Sequence, residues 1–187
     1  MERIKKEDKE KIMGLIKKAG DPTNYETSYD EKGAFHSKLK TEIKKGKRAR
    51  SRGLEFEIKV RRHLESMGRI VDKWTNNVDL ETGKIIPAKK NWKFNPFRSI
   101  MMPSAQGTGF PDFIAFRKTS EGLYNIVGVE VKTNGILSKI EKEKCGWYLQ
   151  NGIFSEVWIA KAVKKGRNIE IEYENFLEKY GDKYNNV

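Results

Sequence analysis

The sequence predicts an α/β protein in which helices flank a central mixed β-sheet, preceded by a basic, helical N-terminal arm. Three observations predict this class. Residues 124–132 alternate between apolar and polar side chains, which is typical of a strand with one buried face. Residues 52–68 and 138–150 carry helix signals. The predicted order of elements after the arm is helix, strand, insertion, two strands, helix, strand, strand.

We assign residues 1–50 to the arm and residues 51–187 to the main domain. Within the arm, residues 2–18 carry a loose apolar stripe that predicts one amphipathic helix. The stripe consists of Ile4, Ile12, Leu15 and Ile16. Gly20, Asp21 and Pro22 end this helix, and a polar stretch leads from there to a basic cluster.

The main domain opens with a helix over residues 52–68, because apolar side chains recur there at helical spacing and Gly68 is a plausible stop. The apolar positions are Phe56, Val60, Leu64 and Met67. Residues 69–74 (RIVDKW) predict a short strand. Residues 75–109 form an insertion rich in Asn, Pro and Lys, and its weak periodicity favours a functional loop.

The second half of the domain alternates strands with a helix. Ser138 opens that helix, and Glu141 three residues later completes a capping-box pattern. A turn at 117–123 joins the first two strands, and 175–180 predicts a last helical turn or two. The predicted strands are residues 113–116, 124–132, 157–162 and 169–173.

The net charge of +12, from 38 Lys and Arg against 26 Asp and Glu, favours a polyanionic partner. Nucleic acid and an anionic membrane surface are the two common choices, and a Lys-rich surface without a partner is the simpler alternative. The charge is concentrated in two basic segments, residues 44–62 and 84–98, and Trp92 lies within the second, where it is suited to base stacking. We therefore predict nucleic acid, DNA before RNA, and no membrane. The predicted DNA-binding residues are Lys44, Lys45, Lys47, Arg48, Arg50, Arg52, Lys89, Lys90, Trp92, Lys93 and Arg98.

Cysteine usage and hydropathy bear on location. Cys145 is the single cysteine, which excludes an intramolecular disulfide framework and a cysteine-based zinc site. We therefore expect the reducing cytoplasm of a prokaryotic cell, or of the host cell if the protein is viral. No apolar run approaches the roughly 20 residues that a membrane-spanning helix needs. The N-terminal residues lack the continuous apolar region of a secretory signal, so we expect none.

Acidic residues at two strand ends carry the chemistry. Asp112 introduces the strand 113–116, and Glu130 and Lys132 share one face at the end of the strand 124–132. If these strands pair through the turn, Asp112 and Glu130 meet at the same end of the ladder. Two adjacent carboxylates repel, and Mg²⁺ relieves that repulsion through oxygen ligands, with Mn²⁺ expected to substitute. The backbone carbonyl of Val131 offers a further oxygen.

Three segments in order, RGLEFEIKVRRHLESMG, GTGFPDFIAF and IVGVEVKTNGILS, resemble the PD-(D/E)xK nuclease superfamily. These segments are most similar to the VRR-NUC and archaeal Holliday-junction-resolvase-like branches, and the resemblance covers residues 52–162. It implies a restriction-endonuclease-like core and metal-dependent DNA endonuclease activity, acting on branched or processed DNA in recombination, repair or viral genome replication.

The resemblance also implies the site roles. Asp112 and Glu130 would ligate the metal, and Lys132 would orient or activate the attacking water. Glu57 would bind through water or hold a second ion, although Glu55 competes with it for that role. Relatives often carry Gln where this chain has Glu141, and we leave Glu141 out of the predicted catalytic set because the capping box explains it equally well.

Other interpretations of these residues stay open. Glu130 and Lys132 also fit a solvated strand face, and Asp112 also fits the start of a turn. For the whole protein, the alternatives are a catalytically weak or inactive DNA-binding protein on a nuclease fold and an RNA-directed nuclease. Because cutting both strands of a duplex needs two active sites, we also predict a homodimer, with the N-terminal helix as a contact.

Overall fold

A computed structural model of the protein describes residues 6–29, 33–88, 90–95, 100–107 and 109–184, with the backbone alone described in 90–95 and 100–107. The helices are α1 (Lys6–Ala19), α2 (Lys40–Ser66), α3 (Lys139–Gln150) and α4 (Phe176–Tyr184). The strands are β1 (Tyr25–Tyr29), β2 (Phe35–Leu39), β3 (Ile70–Lys73), β4 (Asn76–Asp79), β5 (Lys84–Pro87), β6 (Lys90–Asn95), β7 (Ile100–Gly107), β8 (Phe113–Ser120), β9 (Leu123–Val131), β10 (Glu156–Lys165) and β11 (Asn168–Asn175). The chain forms two compact units, Met1–Leu54 and Glu55–Val187.

The first unit contains α1 and an antiparallel hairpin that the sequence did not predict. β1 pairs with β2, and Tyr29 packs edge to face on Phe35 with ring centroids 5.6 Å apart. Aromatic cross-strand pairs stabilise such ribbons, which explains why this largely polar segment is ordered as strands. The apolar side chains of α1 at Ile12, Met13, Leu15 and Ile16 stay 40–57% exposed.

Helix α2 begins at Lys40, so the predicted start at residue 52 is wrong. Residues 40–51 lack an apolar stripe and gave no periodic signal. They are rich in Lys, Arg and other residues of high helix propensity, and that propensity extends the helix towards its N-terminus. The predicted buried positions Phe56, Val60 and Leu64 are confirmed, whereas Met67 is exposed.

The second unit contains a five-stranded sheet in the order β11-β10-β9-β8-β3. β9 and β10 are parallel, and the other neighbouring pairs of this sheet are antiparallel. This confirms the predicted central mixed sheet and its strands, most of which are longer than predicted. The last helix, expected over residues 175–180, continues to Tyr184.

Helices cover both faces of this sheet. On one face, Phe56, Val60 and Leu64 of α2 pack with Val127 and Val129 of β9. The other face packs under α3 and α4 in a second apolar cluster, which includes Cys145, Tyr148, Phe154, Ile159 and Phe176. Since burying each such side chain contributes about 1.5–3 kcal/mol, the two cores fix the sheet on which the site is built.

The insertion at residues 75–109, predicted as a functional loop of weak periodicity, contains two antiparallel hairpins, β4–β5 and β6–β7. The first turns through Asp79, whose Oδ2 accepts a hydrogen bond from the Thr82 hydroxyl at 2.8 Å, and through Gly83 at φ 60°. A four-residue strand shows too few alternations to be recognised, so turn chemistry was the signal that sequence reasoning missed.

Candidate active site

The predicted meeting of Asp112 and Glu130 is confirmed. β8 and β9 pair with Phe113 opposite Val129, which brings the two acids together at one end of the ladder. The backbone N–H of Asp112 donates to Glu130 Oε2 at 3.2 Å, and the N–H of Val131 donates to Asp112 Oδ2 at 2.9 Å. Each carboxylate therefore binds the backbone of the other strand, and the pair is fixed by the sheet itself.

The segment before Asp112 is clamped from two sides. The Tyr148 hydroxyl on α3 donates to the Phe110 carbonyl oxygen at 2.8 Å, and the Trp74 N–H donates to the carbonyl oxygen of Asp112 at 3.2 Å. A Cβ at Gly109 would lie 1.9 Å from the Trp74 carbonyl oxygen, so glycine alone permits this approach. Sequence reasoning did not identify Tyr148, which is fully buried on α3.

Lys132 lies between two carboxylates. Its Nζ is 2.9 Å from Glu130 Oε1 and 2.7 Å from Glu141 Oε1. Glu141 also completes the predicted capping box, accepting from the Ser138 N–H at 2.7 Å while its own N–H donates to Ser138 Oγ at 3.3 Å. The capping-box interpretation of Glu141 and an active-site role are thus compatible. By omitting Glu141, the predicted catalytic set left out a direct contact of Lys132.

Glu57 reaches the site from α2 and is paired with a lysine that sequence reasoning missed. Lys73 Nζ donates to Glu57 Oε2 at 3.2 Å. Lys73 is the last residue of β3 and lies opposite Phe113, the first residue of β8, which directly follows Asp112. Glu57 is half-buried and its charge acts on Asp112, whereas Glu55 is exposed. Because side chains alternate along RIVDKW, Lys73 shares a face of the strand with the buried Val71. This alternation was the signal that could have placed Lys73 on that face.

The surroundings of Asp112 and Glu130 disfavour the ionised forms of both acids. Burial, together with the charge of Asp112, raises the pKa of Glu130 from its ordinary value of 4.5 to about 8. Burial also raises the pKa of Asp112, with Glu57 adding to the effect, while the Val131 N–H and the charges of Lys132 and Lys73 act in the opposite direction. An apolar environment and a like charge disfavour ionisation, which explains both directions.

The lysine and its second partner are held in the charged form. Burial acts to lower the pKa of Lys132, but the carboxylates of Glu130 and Glu141 outweigh it and raise that pKa. Burial likewise acts to raise the pKa of Glu141, and the hydrogen bonds from Lys132 and Ser138 outweigh it, so the pKa is lowered. At neutral pH Lys132 is therefore an ammonium and Glu141 a carboxylate.

The donor chemistry of this site fits a hard divalent cation. Asp112 and Glu130 offer carboxylate oxygens side by side, and Val131, from which the predicted carbonyl ligand comes, ends β9 next to them. The described part of the chain holds no cluster of three or more His, Cys, Asp or Glu side chains arranged for a metal. Mg²⁺ commonly uses one or two protein carboxylates and keeps several waters, so a two-carboxylate set suits it.

The predicted DNA-binding residues fall into two groups. The side chains of the first group lie exposed on α2 within the first unit and take part in no ion pair among the described residues. Its members are Lys44, Lys45, Lys47, Arg48, Arg50 and Arg52. In the second group, Lys90, Trp92 and Lys93 lie on β6, where the backbone alone is described, and Lys89 and Arg98 lie outside the described residues.

Comparison with known proteins gives no match to a protein-family model, a curated protein or a solved structure. Across the described residues, no helix combines the length and the apolar character needed to cross a bilayer.

Proposed function

We propose that the protein is a metal-dependent nuclease that hydrolyses phosphodiester bonds, with DNA as its substrate. One observation carries this proposal: Asp112 and Glu130 lie side by side at a strand end with Lys132 Nζ 2.9 Å from Glu130. Buried acids with raised pKa values beside an ammonium are costly for stability and typical of catalytic sites. The resemblance of the sequence to PD-(D/E)xK nucleases supports the same assignment.

In the proposed mechanism, Asp112 and Glu130, with the carbonyl of Val131, would hold Mg²⁺. When bound, this ion would lower the pKa of a water molecule and offset negative charge on the phosphate. The chain holds the acids in place through the two backbone hydrogen bonds between β8 and β9. Because the pKa of Lys132 is raised, its ammonium donates hydrogen bonds and positive charge and does not accept the proton of the water.

The charge distribution supports a nucleic-acid substrate. Lys44, Arg48 and Arg52 are spaced four residues apart on α2, so they form one stripe along the helix. Such a stripe matches phosphate spacing better than scattered charge does, and binding would release counterions. Replacing these three residues with Ala should flatten the slope of log affinity against log salt by roughly two to three units. An unchanged slope would place the DNA surface elsewhere.

We further propose that the protein acts in the cytoplasm as a homodimer, since two identical sites can reach opposite strands. The exposed apolar side chains of α1 support this proposal, because a second copy would cover them. Light scattering under conditions where both strands are cut should give the mass of a dimer. A monomer that cuts both strands would contradict the proposal.

The decisive test is incubation of the protein with labelled duplex, single-stranded, flap and four-way-junction DNA and with matching RNA, in Mg²⁺, Mn²⁺ or EDTA. We expect cleavage of DNA in either metal and none in EDTA, and none with Asp112→Asn in parallel. Preferential cleavage of RNA would favour the RNA-directed alternative. Metal-independent binding without cleavage of any substrate would favour an inactive nuclease fold.

A further inference from the structure

Glu57 is already occupied by a cation that belongs to the chain. Its Oε2 lies 3.2 Å from Lys73 Nζ, and the two side chains are 28% and 45% exposed. A second metal ion on Glu57 would compete with this ammonium, because both cations bind the same carboxylate. The occupied state of Glu57 therefore bears directly on how many ions the site holds.

The position of Lys73 is fixed by the same strands that hold the acids. Lys73 pairs with Phe113 across β3 and β8, and the next residue, Trp74, donates its N–H to the carbonyl oxygen of Asp112. Its Nζ lies 5.6 Å from the centre of the Phe113 ring, a favourable cation–π distance. The Lys73 side chain thus extends from the end of β3 across the Phe113 ring towards Glu57, beside Asp112.

The charges of the site also favour a single added ion. The carboxylates of Glu57, Asp112, Glu130 and Glu141 face the ammonium groups of Lys73 and Lys132. When all are ionised, the site carries two uncompensated negative charges, which one divalent cation neutralises. A second divalent ion would leave two excess positive charges at a site that already holds the ammonium groups of Lys73 and Lys132.

We propose that Lys73, held by Glu57, supplies the second positive charge beside Asp112, so that each chain binds one divalent cation. This inference rests on the proposed function, and it gives Glu57 the role of a positioning residue for Lys73 instead of a metal ligand. The half-exposed ammonium is also accessible to a phosphate oxygen of the substrate.

The test is the number of Mn²⁺ ions bound per chain without DNA, measured by the loss of the free-ion electron paramagnetic resonance signal and by calorimetry. We expect one ion for the wild type and one for Glu57→Gln. Lys73→Gln frees Glu57 and should bind two, and Lys73→Gln combined with Glu57→Gln should return to one. Lys73→Arg, which keeps the charge, should bind one.

Lys165→Gln is the matched control, because it breaks an exposed ion pair with Glu170 at a hairpin turn and should leave the stoichiometry at one. Two ions on the wild type, falling to one in Glu57→Gln, would overturn the inference and leave the proposed function intact. A Lys73→Gln variant that still binds one ion would show that Lys73 excludes no second ion. Wild-type protein that binds no Mn²⁺, or binding unchanged in Asp112→Asn, would overturn the proposed function as well.

Discussion

Two charged side chains are buried among the described residues, Arg69 at 7% exposed and Glu130 at 4%, and their surroundings differ. They lie near opposite ends of the same sheet. Arg69 directly precedes β3, whose first residue, Ile70, pairs with Phe116, whereas Glu130 stands near the end of β9 beside Asp112. The same fold therefore buries one charge at each end of its sheet.

The arginine end is a network of complementary groups. Arg69 Nη1 donates to Asn125 Oδ1 at 2.9 Å, and the guanidinium lies 4.5 Å from the centre of the Trp158 ring. Asn125 and Trp158 in turn donate to the two oxygens of Glu156 at 3.0 and 2.8 Å. Each of these three donors meets an acceptor, whereas the buried Nε of Arg69 has no hydrogen-bond partner, and the network ties the start of β3 to β9 and β10.

The acidic end combines unlike and like charges. Glu130 has Lys132 as a partner, but it also shares its environment with the carboxyl of Asp112, and its pKa is raised. Burial beside a like charge costs stability unless a cation is added. The comparison teaches that burial of a charge alone does not mark a functional site. The distinguishing feature of the acidic end is a second carboxyl group, that of Asp112, held directly beside the buried one.

The largest expected effect is on cleavage. Glu130→Gln and Asp112→Asn each remove one ligand charge with almost no change in volume, and should lower the cleavage rate at least about 1000-fold. Circular dichroism should show an unchanged fold. Glu156→Gln is the matched control at the arginine end, and it should keep its cleavage rate per folded molecule. If Glu156→Gln loses as much activity as Glu130→Gln, the two ends are not functionally distinct.

The next effect is on stability at the arginine end. Arg69→Met removes the hydrogen bond to Asn125 and the charge over Trp158, leaving buried polar partners unsatisfied. It should lower the free energy of unfolding by about 2–4 kcal/mol in urea titrations. Arg69→Lys keeps the charge without the planar group, and its free energy of unfolding should lie between those of the wild type and Arg69→Met. A stable Arg69→Met protein would show that the network contributes little.

The acidic end should respond to pH in the opposite sense to a stabilising ion pair. Between the ordinary pKa of 4.5 and the folded-state pKa of about 8, the folded protein keeps the Glu130 proton that the unfolded chain releases. The unfolded state binds fewer protons in this window, so stability falls as pH rises, by up to about 1.4 kcal/mol per pH unit from this group.

Denaturation in EDTA at several values between roughly pH 5 and pH 8 measures this effect as the difference between wild type and Glu130→Gln. We expect Glu130→Gln to become the more stable of the two as pH rises, and added Mg²⁺ to stabilise the wild type alone. A constant difference across the window would mean that Glu130 ionises normally.

The sequence predicted the parts of this comparison that depend on local pattern. Alternation located β9, the capping box located the start of α3, and the pairing of β8 with β9 followed from their short connection. The contacts that define each end join residues far apart in the chain, such as Glu57 with Lys73 and Arg69 with Asn125. Those contacts depend on the register of β3 against β8, and no local periodicity encodes it.

Helix and insertion errors have the same physical origin. The start of α2 at Lys40 depends on propensity without an apolar stripe, and β4 and β5, with four residues each, are too short to show alternation. Glu141 was predicted as a cap from its spacing to Ser138, whereas its contact with Lys132 requires the loop between β9 and α3 to fold back.

The smallest expected effect concerns Glu141, which contacts Lys132 of the acidic end and also caps α3. Its Oε1 accepts from Lys132, and its Oε2 accepts from the Ser138 N–H. Glu141→Gln keeps the shape but loses the charge that strengthens the Lys132 hydrogen bond, so cleavage should fall about 10-fold.

Ser138→Ala is the matched control, because it removes the cap hydroxyl and leaves the Lys132 contact in place. It should lower the free energy of unfolding by about 1 kcal/mol and change cleavage by less than about twofold. If both variants slow cleavage equally, Glu141 acts through the start of α3, and the acidic end then extends no further than Asp112, Glu130 and Lys132.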